Sequence, residues 1–187
     1  MTFAEIQTEF AELHLDTSST WITGGSLNKK CVNKAYEYMY DILKNSAKVK
    51  KYIGLTKTNV VITNKVWTLP ATFDTIDFAS MVDFSTDSWV DWDFTNRYFD
   101  FEIRWVAWAK TIVTQTNIPN LYITFLPLIT VLSADWDKPS LIPSELHRCI
   151  ADFALVEYFR RIRDDVSAWN ALQLAQSMLN QKLITLW

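Results

Sequence analysis

The chain has 187 residues, enough for one domain with a real core, and it carries nine Trp against only three Gly. So few glycines leave no glycine-rich cradle for phosphate. The two cysteines, Cys31 and Cys149, lie far apart in predicted helices, which indicates buried reduced thiols and cytoplasmic synthesis rather than a disulfide framework.

Phe3 to Leu15 reads as a first helix, with Phe3, Ile6, Phe10 and Leu13 spaced three to four apart. Its acidic, amphipathic start is not that of a signal peptide, and no apolar run in the chain reaches transmembrane length, so no membrane partner is expected. A Ser/Thr/Gly loop over 16–25 leads to Ser26, the expected N-cap of a second helix running to about Asn45. Its inward stripe is expected to be Leu27, Cys31, Ala35, Tyr38 and Ile42, with Lys29, Lys30 and Lys34 largely outside it.

The small net charge, −3, hides a segregation. Nine lysines against Glu37 and Asp41 give residues 26–65 a charge of +7, and eight acids against Arg97 give residues 74–102 a charge of −7. A chain polarised in this way can pair with copies of itself or present its basic part to a polyanion.

From Asn59 the pattern becomes that of strands: Val60–Thr63, Val66–Leu69, Thr75–Phe84, Ser88–Phe94, Tyr98–Gln115 and Leu121–Leu128. Asn64-Lys65, Asn96 and residues 117–120 mark turns. Helical spacing returns at Pro143. One stripe is Leu146, Cys149, Ile150, Phe153 and Val156, and a second is Ala151, Leu155, Tyr158, Phe159 and Ile162. A helix apolar on two sides must be covered on two sides. The predicted fold class is α+β: a helical bundle from the N- and C-terminal helices (about 3–45 and 143–186) with an inserted antiparallel β region (about 59–131), forming a single domain over 1–187.

The chain ends on an unusual helix. Ser167 to Gln181 contains no charged residue; Ala168, Leu172, Ala175, Leu179 and Leu183 form one face, and Asn170, Gln173, Ser177 and Asn180 the other. An amide and hydroxyl face can hydrogen-bond a neighbouring chain without burying an ion. The pattern alone fits a core helix of this chain equally well.

Catalytic chemistry is missing. Only His14 and His147 are present, and Asp152 is not spaced to sit beside His147 on a helix; solvated or capping roles are expected for both. No nucleophile, metal-ligand or phosphate-binding motif occurs, so no catalytic residue, metal or cofactor is predicted. The best competing cluster is Asp91-Trp92-Asp93 with Asp83 and Asp87, close to Trp89, Trp105 and Trp108. It suggests a carbohydrate-binding module or glycosidase. Residues three apart on a strand face opposite sides, however, so these tryptophans form no flat sugar platform. Aromatics on both faces fit instead a sheet buried on both sides by helices or by a neighbouring subunit.

The order of these elements resembles a known family. The opening Phe3-Ala4-Glu5-Ile6-Gln7-Thr8-Glu9-Phe10, the helix Leu27-Asn28-Lys29-Lys30-Cys31-Val32-Asn33-Lys34-Ala35-Tyr36, the segment Trp67-Thr68-Leu69-Pro70-Ala71-Thr72-Phe73-Asp74 and the late Ile142-Pro143-Ser144-Glu145-Leu146-His147 together look like the head-to-tail adaptor proteins of tailed bacteriophages. The resemblance implies a virion protein of the neck, made in the host cytoplasm. It would form a homo-oligomeric ring, commonly of twelve subunits, between the capsid portal protein and the tail or tail-completion protein. Double-stranded DNA would pass through its channel in non-specific contact. On this view Leu183, Ile184, Leu186 and Trp187 dock on the portal, and Asn170, Gln173, Ser177 and Asn180 face neighbouring subunits. Lys29, Lys30 and Lys34 line the channel or meet the acidic segment of the next subunit. A large Trp-rich β region departs from the small all-helical members.

Overall fold

The computed structural model describes residues 1–13, 26–45, 56–80, 100–106 and 108–185. The fold is α+β, with four α-helices and two three-stranded antiparallel sheets among these residues. The chain divides into two compact units, Met1–Ile53 with Ile129–Trp187, and Gly54–Leu128. The second lies close to the β region expected from the sequence.

The first unit is helical: α1 (Phe3–Leu13), α2 (Ser26–Asn45), a 3-10 turn (Ser144–Leu146), α3 (His147–Arg161) and α4 (Asp165–Thr185). Helix α1 starts with a reciprocal capping box. Thr2 N–H donates to Glu5 Oε2 at 2.7 Å, and Glu5 N–H to Thr2 Oγ1 at 3.3 Å. The amides of Phe3 and Ala4 reach the carbonyls of Asp137 and Asp135, so the first turn is satisfied by a distant loop. That loop is itself pinned: the Asn33 side chain both accepts from Leu132 N–H at 2.7 Å and donates to Leu132 C=O at 2.9 Å.

Helix α3 is the hub, packing on α1, α2 and α4. Leu146, Cys149, Ile150, Phe153 and Val156 are all buried, as the first stripe requires. In the second stripe Ala151 is buried, Leu155, Tyr158 and Phe159 are half-buried, and Ile162 is exposed. Helix α2 corrects the expected stripe. Cys31 and Ala35 are buried, but Leu27 and Ile42 are half-buried and Tyr38 is exposed. The buried face is Asn28, Val32, Tyr36, Met39, Tyr40 and Leu43 along with those two. The expected stripe traces one line of apolar residues, whereas the face that α1 and α3 cover is turned toward Asn28, Val32, Tyr36, Met39 and Leu43.

The helix α3 to α4 junction turns in three residues, Ile162, Arg163 and Asp164. Arg163 N–H bonds Arg160 C=O and Asp164 N–H bonds Phe159 C=O, the paired bonds of a Schellman stop, with Arg163 at φ 61°. Asp164 then caps the next helix, accepting from Ser167 N–H at 3.0 Å.

The second unit holds β1 (Thr56–Ile62), β2 (Val66–Thr68), β3 (Phe73–Ser80), β4 (Phe101–Val106), β5 (Ala109–Thr114) and β6 (Ile118–Pro127). The sheet orders are β1-β6-β3 and β2-β5-β4, all antiparallel. A two-residue turn with Asn64 and Lys65 at positive φ carries the chain from the first sheet to the second. Both sheets contribute to one core, including Val60, Ile62, Phe73, Ile112, Leu121 and Phe125.

Two strand expectations need correction. The described part of the expected strand Tyr98–Gln115 is two strands, not one: β4 (Phe101–Val106) pairs antiparallel with β5 (Ala109–Thr114), and Trp108 between them has φ 68°. Residues 118–120, expected in a turn, begin β6; Pro119 is tolerated at the start of a strand. The segment Ser88–Phe94 lies outside the described residues, as do residues 14 and 15 of the first expected helix.

Candidate assembly surface

Helix α4 has 21 residues and therefore spans roughly 30 Å. Its inner face is Ala168, Ala175 and Leu179, buried, with Leu172 and Leu183 half-buried. The outer face collects Val166, Trp169, Asn170, Gln173, Leu174, Ser177, Asn180 and Ile184, every one exposed. These positions recur at three- and four-residue intervals, so they form one stripe along the whole helix. Trp169 is 62% exposed and Ile184 73%. A large indole and a branched aliphatic side chain in water, interleaved with amides and without one charge, make a surface suited to cover by another protein.

All four expected subunit-interface residues, Asn170, Gln173, Ser177 and Asn180, lie on this outer stripe. The sequence reading missed its apolar members, Val166, Trp169 and Leu174. The same helical spacing that found the amides would have found them. Of the expected portal-docking tail, Leu183 is half-buried and Ile184 exposed, while Leu186 and Trp187 lie outside the described residues.

The three expected basic contacts separate. Lys29 is half-buried with its Nζ 6.0 Å from the Phe3 ring centroid. Lys30 and Lys34 share the exposed side of α2. Lys34 is bonded to Glu37 at 2.7 Å, whereas Lys30 has no ion-pair or hydrogen-bond partner among the described residues. Of the acidic segment, Asp74 and Asp77 lie on β3 and Glu102 on β4, paired with Arg104.

His147 corrects the expectation of a solvated or capping residue. It is buried, its Nε2 bonded to Ile142 C=O at 2.9 Å and its Nδ1 3.0 Å from the Met1 amine. His147 thus tethers the loop ahead of α3 and the start of α1. His14 lies outside the described residues. Asp152 is buried beneath the Arg148–Glu9 ion pair, with Oδ2 lacking a hydrogen-bond partner. Burial raises its carboxyl above the ordinary range, Arg148 opposing and Glu9 adding to the rise. Cys31 and Cys149 are free and buried. Burial pushes both thiols up to about 11, far from a reactive thiolate. Among the described residues no three His, Cys, Asp or Glu side chains group as metal ligands, and no helix is long and apolar enough to cross a membrane.

Among the tryptophans of the β region, Trp105 is 71% and Trp108 97% exposed. Cover by a neighbouring subunit, one of the two expected arrangements, is not tested by a single chain, and Trp108 stands in the hairpin turn at φ 68°. Asp83, Asp87, Trp89, Asp91, Trp92 and Asp93, the core of the carbohydrate reading, lie outside the described residues. Neither protein-family models nor curated proteins match this chain.

Proposed function

We propose that this chain is a structural subunit of a tailed-phage neck. It forms a homo-oligomeric ring, of twelve subunits in the resembling family, that joins the capsid portal to the tail and lets double-stranded DNA pass. The observation that carries the assembly part is the outer face of α4, a continuous uncharged stripe holding an exposed Trp, Val, Leu and Ile. A monomeric protein gains nothing from such a stripe, whereas a subunit contact gains a desolvated Trp anchor with amides around it. The virion assignment is supported by the whole-chain order of elements and the four segments quoted above. The terminal residues Leu183, Ile184, Leu186 and Trp187 dock on the portal. Lys30 and Lys34, on one side of α2, face the channel or the next subunit.

The test is negative-stain imaging with mass measurement of the purified protein, alone and with portal protein. Rings on the portal support the proposal, and removing residues 183–187 should leave the subunit folded while abolishing that attachment. A folded particle of one chain that ignores portal at all concentrations would refute it.

A further inference from the structure

The β4–β5 hairpin ends in a feature its own fold does not use. Trp108 sits at φ 68°, a conformation that costs a bulky residue roughly 1–2 kcal/mol, and its indole is almost wholly in water. Beside it Trp105, Val106 and Ile103 are also exposed, and from Glu102 to Val106 both faces of β4 are open. Local stability favours glycine here. An indole held out at this position has its use in another molecule.

The helical unit contains a recess with matching chemistry. A cavity of about 310 Å³ lies between α2 and residues 129–131, lined by Lys30, Lys34, Tyr36, Ile129, Val131 and Arg161, with room for one indole ring. Val131 stands exposed at it and Lys30 is unpaired among the described residues. Lys30, Lys34 and Arg161 bring three cations to it beside Tyr36, Ile129 and Val131, Lys34 being paired with Glu37 and Arg161 with Glu157, and cations suit the negative face of an indole, the strongest such acceptor among the side chains. The hairpin already shows the preference: Lys110 Nζ lies 5.9 Å from the Trp105 ring centroid. Glu102 and Arg104 occupy one face of β4 behind the tip. The cavity wall answers them with Lys30 and Glu37.

We propose that Trp108 of one copy of this chain seats in the Lys30–Arg161 cavity of the next. Tip and cavity are different surfaces, so the contact is head-to-tail and propagates around a ring rather than closing a two-fold dimer. It rests on the assembly reading above and gives that assembly a direction. It also gives Lys30 and Lys34 an aromatic partner in place of the acidic segment alone.

Sedimentation velocity over a concentration series tests this with wild type, Trp108→Gly, the double variant Lys30→Glu/Val131→Glu, and an equal mixture of the two variants. All three positions are exposed or at the cavity, and Trp108→Gly relieves backbone strain, so its thermal midpoint should rise. The expected result is association weakened about 30-fold in each variant alone, with the mixture associating more strongly than either variant alone. Wild-type association in Trp108→Gly would overturn the hairpin contact and leave assembly through α4 standing. A wild type that stays at the 21.8 kDa of one chain would overturn both.

Discussion

Helices α3 and α4 follow one another across a three-residue turn, and both carry apolar residues around most of their circumference. They differ in what covers them. Helix α3 is enclosed by α1, α2 and α4, so its two apolar stripes are accounted for within the chain. Helix α4 is covered along Ala168, Ala175 and Leu179 only. Its other side keeps Trp169, Leu174 and Ile184 in water. The two apolar stripes of α3 are met by helices of the same chain, whereas the outer face of α4 is left exposed.

The sharpest way to break this contrast is to cut into the hub. Phe153 is buried and packs against Tyr38 with ring centroids 5.4 Å apart. Phe153→Ala should cost about 3–5 kcal/mol of unfolding free energy, measured by urea titration. A loss under about 1 kcal/mol would mean that α3 is not the centre of the bundle. Next in size is the junction that lets the two helices differ. Asp164→Ala removes the cap of α4 and should lower the urea midpoint, by less than Phe153→Ala does. Its carboxyl is held below the ordinary range by the Ser167 amide, so the loss should be full at neutral pH and vanish as pH falls through that lowered value. Equal losses at pH 7 and pH 2 would exclude the cap.

Asp152 carries the opposite sign. Burial raises its carboxyl, so the folded chain binds this proton more tightly than the unfolded chain. Its charge therefore weakens the fold at neutral pH. The penalty disappears as pH falls through the raised value and levels off below the ordinary carboxylate range, at about 4. Asp152→Asn should hold or raise the thermal midpoint at pH 7 and remove that part of the pH slope. A lower midpoint at pH 7 would mean that the carboxylate is stabilising where it lies. The smallest effect belongs to the outer face: Trp169→Ser should change subunit stability by no more than about 0.5 kcal/mol, in direct contrast to Phe153.

Much of this contrast was legible in the residues. Helical spacing located α2, α3 and α4, because a stripe at three and four residues needs no knowledge of the partner. The uncharged run from Ser167 to Gln181 pointed to the outer face for the same reason. What failed was anything set by long-range competition. Tyr36 and Tyr40 are buried while Tyr38, its ring centroid 5.4 Å from that of Phe153, keeps one edge in water, because which side of α2 is covered is decided by the helices packed on it and not by the local stripe. The turn at Trp108 was invisible because the residue there is the wrong one for a left-handed turn; no Gly, Asn or Asp marks it. The Thr2–Glu5 capping box was written in the sequence and overlooked, while the cap by Asp135 and Asp137 is a long-range contact that no local pattern announces.

The central claim is that the outer face of α4 is a contact between copies of this chain. It is tested most directly by sedimentation equilibrium on wild type and on the triple variant Val166→Ser/Trp169→Ser/Leu174→Ser, with circular dichroism on both. The account predicts unchanged helicity, a wild type whose mass rises with concentration, and a variant that needs a concentration about 30-fold higher or more to reach the same mass. A variant that associates as the wild type does, or a wild type that never associates, would contradict it.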